Sequence, residues 1–177
     1  MCKTNNIVST EHHLDARNCG GWIVPNLIGV KINTHKEKIM AWIQNISFAD
    51  ANNGNYPKVM IHNTVHIQIV DPDMDFPVTP DKFLNVHQFK FLDVEKDTDC
   101  DESLKISQEQ ANKIVKILQQ CLDNGHNVVV NCVAGVNRSG AVTEVGVMMG
   151  FDDTNKHRGY NCMVKYMLMK ELGWTYD

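Results

Sequence analysis

The sequence predicts an α/β protein in which helices flank a central, mostly parallel sheet. Two observations support this prediction. Strand-like segments alternate along the chain with segments of helical periodicity, which is typical of layered α/β folds. In addition, residues 127–131 form a short apolar run that does not alternate with polar residues. Such a run is expected of a strand that is covered on both faces of a parallel sheet.

Size and composition fit one domain. The chain has 177 residues with 43% apolar residues, 21% charged residues and a formal net charge of −4. This balance does not point to nucleic acid or an anionic membrane as a partner. We expect a loosely ordered polar segment over residues 1–20 and a single domain over residues 21–177.

The cellular location is predicted from what the sequence lacks. No apolar run is long enough to cross a bilayer, and the N-terminal residues have no apolar stretch like that of a signal peptide. The six cysteines form no CxxC pair and have no regular spacing. We therefore expect a cytoplasmic protein with reduced thiols.

The first part of the chain contains an extended segment and a predicted helix. Residues 22–30 are extended and interrupted by Pro25. Residues 34–47 are predicted to form a helix, with Thr34 and Glu37 as its capping box. The apolar side chains at helical spacing in this segment are Ile39, Trp42, Ile43 and Ile46.

The next segments are predicted strands and loops. A turn at residues 52–57 precedes two strand-like stretches within residues 58–70. Residues 71–81 are rich in proline and aspartate and are predicted to form a loop, and residues 87–95 form a further strand.

The second half of the chain contains three predicted helices. The clearest one spans residues 107–125, where Ser107 is the N-cap and Gly125 ends the helix. Residues 139–149 and 158–172 are predicted to form the other two. The apolar stripe of the first helix contains Ile114, Ile117, Leu118, Cys121 and Leu122.

The stretch VVVNCVAGVNRSG combines the features of an anion-binding loop. Cys132 lies at the end of a buried strand, where α/β sheets bind their ligands. Backbone N–H groups in a tight loop can converge on an anion, and the next helix directs its positive end at the same place. Arg138 adds a planar fork of donors that matches two phosphate oxygens. The loop residues between them are Val133, Ala134, Gly135, Val136 and Asn137.

The same surroundings turn the thiol of Cys132 into a candidate nucleophile. The positive backbone dipoles and Arg138 favour its thiolate form. A thiolate that faces a bound phosphate is arranged to attack phosphorus. The sequence therefore predicts a phosphate site that carries its own nucleophile.

This stretch resembles the signature of the cysteine-dependent protein tyrosine phosphatases, HCxxGxxR[ST]. The segment IVPNLIGV, residues 23–30, is similar to the opening segment of the dual-specificity subgroup. The 22 residues Ile106–Asn127 match the helix that precedes the signature strand in that subgroup. The resemblance covers residues 22–150 and implies a protein tyrosine phosphatase-like fold. Residues 21–177 would then form a dual-specificity phosphatase-like catalytic domain.

The resemblance also implies roles for individual residues. Cys132 would form a cysteinyl-phosphate, and the loop from Val133 to Arg138 would bind the phosphate. Ser139 would donate a hydrogen bond to the thiolate and help the intermediate to break down. No metal or other cofactor is required. The sequence departs from the family at Asn131, where the family has a histidine that orders the loop.

A second residue must protonate the leaving oxygen. The family uses an aspartate on a loop before the signature helix, and the corresponding stretch here is DVEKDTDCDES. It offers Asp97, Asp99 and Asp101. Counting forward from the preceding strand favours Asp97, with Asp99 second and Asp101 third.

The resemblance implies a phosphatase for phosphotyrosine, and for phosphoserine and phosphothreonine, in proteins or peptides. No lysine or histidine lies between Cys132 and Arg138, which favours a single phosphate over a polyanionic ligand. Two alternatives remain open. The run GVNRSG is close to the G-x-N-R-T-G form of RNA 5′-triphosphatases on the same scaffold, so an RNA 5′ end stays a possible substrate. Asn131 also leaves open an inactive phosphate-binding module.

Two further patterns are assigned no chemical role. His62 and His66 lie four residues apart on a predicted strand, a separation of about 13 Å that is too long for one metal ion. The stretch DPDMD begins like a calcium loop, but Phe76 and Lys82 occupy the positions of the required glycine and glutamate. It is predicted to be a turn.

Overall fold

One parallel sheet forms the centre of the described structure. The computed structural model describes residues 40–57, 61–79, 82–95, 101–154 and 159–174. The strands in these ranges are β1 (Trp42–Ser47), β2 (Thr64–Val70), β3 (Asn85–Lys90), β4 (Asn127–Cys132) and β5 (Asp152–Asp153). Their order is β3-β2-β4-β1-β5, and every described pairing is parallel. The predicted α/β fold class is confirmed.

Helices precede or follow the strands along the chain. They are α1 (Phe48–Asn52), α2 (Gln108–Asn124), α3 (Asn137–Met149) and α4 (Cys162–Glu171). The prediction for α2 is confirmed with both ends, because Ser107 forms a capping box with Gln110 and Gly125 adopts a φ of 70° at the C-cap. None of the helices in the described ranges is long and apolar enough to cross a membrane.

The sheet has a large apolar core on one face. Val128 and Val130 of β4 lie in this core, while Val129 between them points to a smaller cluster on the opposite face. Helices α2, α3 and α4 supply the other side of the large core, and α1 contributes Ala51 to the smaller cluster. The core side chains from the three helices include Ile114, Leu118, Val142, Val145 and Leu168.

The predicted helix over residues 34–47 is wrong in its described part, because residues 42–47 form β1. A helical stripe would place Ile43 and Ile46 on one face, but they belong to the two clusters on opposite faces of the sheet. Strand β1 pairs with β4 on one side and β5 on the other. Backbone hydrogen bonds to two neighbours outweigh a local helical pattern of this kind.

Other boundaries differ less or fall outside the described ranges. Strand β3 spans Asn85–Lys90 rather than the predicted residues 87–95, and the last helix begins at Cys162 rather than at residue 158. The polar segment 1–20, the extended segment 22–30 and the domain boundary between residues 20 and 21 lie outside the described residues.

The parallel sheet gathers the ends of four strands at one edge. Ser47 of β1 is the register partner of Cys132 of β4, so these two strands end side by side. Strand β2 ends at Val70 and β3 at Lys90, and all four strands run in the same direction. Residues that follow these strands are therefore brought close to Cys132.

Candidate functional site

The loop from Cys132 to Arg138 turns tightly against the end of β1. Gly135 has a φ of 72°, and a Cβ atom there would lie 2.5 Å from the backbone nitrogen of Ser47. Only glycine fits both this conformation and this approach. The carbonyl of Gly135 accepts a hydrogen bond of 2.6 Å from the side chain of Asn45. The loop is therefore held by β1 in one conformation.

Helix α3 begins in this loop without a side-chain cap. Its N-cap is Val136, which offers no acceptor, whereas Ser47, Ser107 and Asn161 cap helices α1, α2 and α4 with their side chains. The first backbone N–H groups of a helix need an acceptor from outside the helix. At α3 a bound anion would supply that acceptor and would also meet the positive end of the helix.

The nucleophile predicted from the sequence lies at the base of this loop. Cys132 is 1% exposed, and its Sγ is 3.1 Å from the Oγ of Ser139, which is fully buried. A hydroxyl at this distance can donate a hydrogen bond to a thiolate. The structure thus brings Cys132, Arg138 and Ser139 together around one loop.

The Arg138 guanidinium is oriented by protein groups on one side. Its Nη1 donates to the carbonyl of Phe91 at 2.5 Å and forms an ion pair with Asp71 Oδ1 at 2.7 Å. Its Nε is 3.9 Å from Asp93 Oδ2, which is too long for a hydrogen bond. Although Arg138 is only 2% exposed, the buried Nε has no hydrogen-bond partner in the described structure.

This arrangement indicates which edge of the guanidinium serves a ligand. Because Phe91 and Asp71 hold Nη1, the edge formed by Nε and Nη2 is the one that can meet two oxygens of a phosphate. A buried N–H donor without a partner carries an energetic cost, which a bound oxyanion would remove. The unpaired Nε is thus an independent sign of an anion site.

Sequence reasoning missed Asp71 and Asp93. The sequence patterns predict a turn without a chemical role at Asp71 and a strand at Asp93, yet both carboxylates approach Arg138. Each residue comes shortly after a parallel strand, β2 or β3, whose end lies beside that of β4. The signal in the sequence was an acidic residue shortly after the end of each of these two strands, which are neighbours in the sheet.

The general-acid candidates are only partly described. Asp97 and Asp99 lie outside the described residues, and Asp101 is visible at the start of a short 3₁₀ turn, Glu102–Leu104. The carboxylate of Asp101 accepts a hydrogen bond from the backbone of Ser103, and this interaction lowers the pKa of Asp101. A lowered pKa disfavours the protonated form that a general acid needs.

Asn131, the residue before Cys132, bonds to a histidine on the neighbouring strand. Its Oδ1 lies 2.9 Å from Nε2 of His66 in β2, and both side chains are fully buried. The His66 ring packs against Tyr56 and Phe83. This hydrogen bond connects β2 to β4 at the residue that precedes Cys132.

The buried His66 should make the free energy of unfolding depend on pH. Burial lowers the pKa of His66 from 6.5 to about 4. Between these values the unfolded chain binds a proton at this residue and the folded chain does not, so acid favours unfolding. The contribution of the uncharged His66 to the free energy of unfolding is complete above pH 6.5 and falls by about 3 kcal/mol as the pH drops to 4.

Urea titrations of wild type and His66→Gln at a series of pH values test this prediction. The difference between their unfolding free energies should change across the interval from pH 6.5 to about 4. His62→Gln is the control, because it removes a histidine whose side chain is exposed. A constant difference between His66→Gln and wild type would show that another group causes the acid sensitivity.

Comparison with known proteins identifies the fold. By sequence, the chain matches no protein family and no characterised protein. It is similar to the solved structure of the human tyrosine phosphatase-like serine/threonine/tyrosine-interacting protein, with 16% identity and a TM-score of 0.52 over 76% of this chain and 93% of that one. It is also similar to OH1 from the Orf virus, a tyrosine phosphatase, with 17% identity and a TM-score of 0.45 over 75% and 83% of the two chains. Tk-PTP matches with 14% identity and a TM-score of 0.40 over 75% and 81%. The first of these similarities confirms, for the fold, the resemblance seen in the sequence.

Proposed function

We propose that this chain, which has the fold of the tyrosine phosphatase-like proteins, is a protein phosphatase that acts through a cysteinyl-phosphate. The observation that carries the proposal is the placement of Cys132. Its Sγ lies beside the Ser139 hydroxyl at the end of β4, and the helix that follows begins without a side-chain cap and carries Arg138, whose buried Nε is unpaired among the described residues. A nucleophile and two kinds of phosphate donor are thus gathered around one loop.

The proposed reaction has two steps. In the first, the thiolate of Cys132 attacks phosphorus, the bond to the leaving oxygen breaks, and Asp97 gives that oxygen its proton. In the second, the Asp97 carboxylate takes a proton from water, which displaces the sulfur and releases inorganic phosphate. Arg138 and the loop N–H groups hold the other three oxygens throughout. Ser139 stabilises Cys132 as it leaves, and no metal takes part.

The surface around the loop supports phosphotyrosine as the preferred substrate. Val133 and Val136 of the loop are 37% and 42% exposed, so the loop presents apolar side chains that suit an aromatic ring. Asp71 and Asp93 place two carboxylates beside Arg138, which disfavours a ligand with many negative charges. We therefore propose phosphotyrosine first and phosphoserine and phosphothreonine after it, in phosphorylated proteins or peptides of the cytoplasm.

A phosphate-release panel tests this function. It compares phosphotyrosine, phosphoserine and phosphothreonine peptides with phosphoinositides and triphosphate-ended RNA, each with and without a chelator. We expect the highest kcat/KM with phosphotyrosine peptide and no effect of the chelator. Release from RNA that is about tenfold faster in kcat/KM, a ratio worth about 1.4 kcal/mol, would establish the RNA 5′-triphosphatase instead. Binding of phosphopeptide without any release would establish an inactive module.

The same panel, extended by nitrophenyl phosphate, identifies the general acid. Asp97→Asn should lower kcat strongly with phosphoserine peptide and much less with nitrophenyl phosphate, whose leaving group needs little protonation. Asp97→Asn should also remove the alkaline limb of the pH–rate profile, because that limb reports loss of the acid's proton. Asp99→Asn and Asp101→Asn are the matched controls. If one of these controls shows both effects and Asp97→Asn does not, the acid is assigned to that residue.

A further inference from the structure

Asn161 is a fully buried polar residue that connects three parts of the site. It lies immediately before α4 and is 0% exposed. Its backbone N–H donates to the carbonyl of Asn137, the first residue of α3, at 3.0 Å. Its Oδ1 accepts a hydrogen bond of 2.9 Å from the N–H of Val164, which caps α4.

The remaining polar atom of Asn161 holds the segment that follows β3. The Nδ2 donates to Asp93 Oδ1 at 2.7 Å and to the carbonyl of Val94 at 2.9 Å. Every hydrogen-bonding group of the Asn161 side chain is therefore used, and two of its three side-chain bonds go to residues after β3. A helix cap alone requires only the bond from Oδ1.

The two carboxylate oxygens of Asp93 face different residues. Oδ1 receives the hydrogen bond from Asn161, and Oδ2 lies 3.9 Å from the Nε of Arg138. Because Nε belongs to the edge of Arg138 that can meet phosphate, the position of Asp93 sets the electrostatic field at that edge. Asn161 fixes the rotation of the Asp93 carboxylate by holding its other oxygen.

We propose that Asn161 is a positioning residue, which fixes the Asp93 carboxylate and thereby controls the electrostatic field at the Nε–Nη2 edge of Arg138 that binds phosphate. This inference rests on the proposed phosphate chemistry of the site. It assigns a catalytic contribution to the segment before α4, a region outside the signature loop. The contribution is indirect, because the contacts of Asn161 are with Asp93, Val94, Asn137 and Val164.

The test separates helix capping from positioning. Asn161→Ser keeps an N-cap side chain, because serine and asparagine cap helices equally well, but it removes the Nδ2 bonds. Asp93→Ala removes the partner without touching the cap. Wild type, Asn161→Ser, Asp93→Ala and the double variant form a cycle that measures the coupling between the two residues. The readouts are kcat/KM with nitrophenyl phosphate, the Kd for inorganic phosphate by calorimetry, and Tm.

Asn161→Ser should lower kcat/KM and raise the phosphate Kd by about tenfold, as expected for misplacement of a binding group, with little change in Tm. In the Asp93→Ala background, the same substitution should change both quantities by less than about threefold, since its partner is gone. Equal effects in both backgrounds would overturn the inference. So would a large fall in Tm with an unchanged phosphate Kd, which would show a purely structural role.

Failure of the proposed function can be told apart from failure of this inference. If the wild type binds phosphate but releases none from any substrate, the proposed phosphatase activity is wrong. The phosphate Kd values across the four proteins then still decide whether Asn161 acts on Arg138 through Asp93. If the wild type binds no phosphate, both proposals are wrong.

Discussion

Cys132→Ser should abolish turnover and still bind phosphorylated ligand. The serine hydroxyl would occupy the position 3.1 Å from Ser139 Oγ, inside the same loop and beside the same arginine. However, a serine hydroxyl is not ionised at neutral pH by these surroundings, so no nucleophile is available. We expect kcat to fall by about 10⁴-fold or more, as is found when a nucleophile that forms a covalent intermediate is removed.

Two measurements check this result. Stopped-flow release of nitrophenolate should show a burst with wild type and none with Cys132→Ser, and calorimetry should show that a phosphotyrosine peptide binds to both. Cys162→Ser is the matched control, because Cys162 is a free, exposed thiol in α4 outside the loop. It should retain wild-type kcat. Activity of Cys132→Ser within tenfold of wild type would rule out the covalent mechanism.

Arg138→Lys should also be severely damaging, although the positive charge is retained. The guanidinium of Arg138 meets Phe91 and Asp71 through Nη1 and keeps its other edge for phosphate. A lysine has one compact ammonium group, which cannot bind Phe91 and Asp71 and also span two oxygens of the phosphate. We expect transition-state stabilisation to fall by about 3 kcal/mol or more, the cost of removing one oxyanion donor.

The measurements for Arg138→Lys are kcat/KM with an aryl phosphate, phosphate affinity and Tm. Loss of kcat/KM together with phosphate affinity, in a protein that still unfolds cooperatively, would agree with the expected role. Arg138 is almost fully buried among carboxylates, so its replacement can lower Tm through lost packing and ion pairing alone. A fall in Tm with kcat/KM within threefold of wild type would show that Arg138 is a structural residue.

Local sequence patterns were sufficient to predict the elements that are stabilised by contacts between residues close in sequence. The capping box of Ser107 and Gln110 joins residues three positions apart, and Gly125 ends the same helix with bonds from its N–H to the carbonyls of Cys121 and Leu122. The loop from Cys132 to Arg138 was recognised for the same reason, since its nucleophile, glycine and arginine follow one another within seven residues. Such features depend on bonds and dihedral angles that a short segment contains in itself.

The segment 42–47 shows where local patterns fail. Its apolar spacing fits a helix, but its neighbours in the structure are β4 and β5, which lie far along the chain. A short segment has little intrinsic preference, so the partners that it meets in the sheet decide its conformation. The same limit applies to the bond between His66 and Asn131, which joins residues 65 positions apart.

The sequence by itself determined the fold class and the local make-up of the candidate site: a parallel α/β fold, a thiol at the end of a buried strand, and an arginine after a glycine-containing loop. Only the tertiary structure decided which groups surround that arginine. Phe91 is 47 positions from Arg138, and Asp93 is 68 positions from Asn161. These contacts arise because β3, β2 and β4 are neighbours in the sheet and end at one edge. Strand order follows from the packing of the whole core, and no short stretch of sequence contains it.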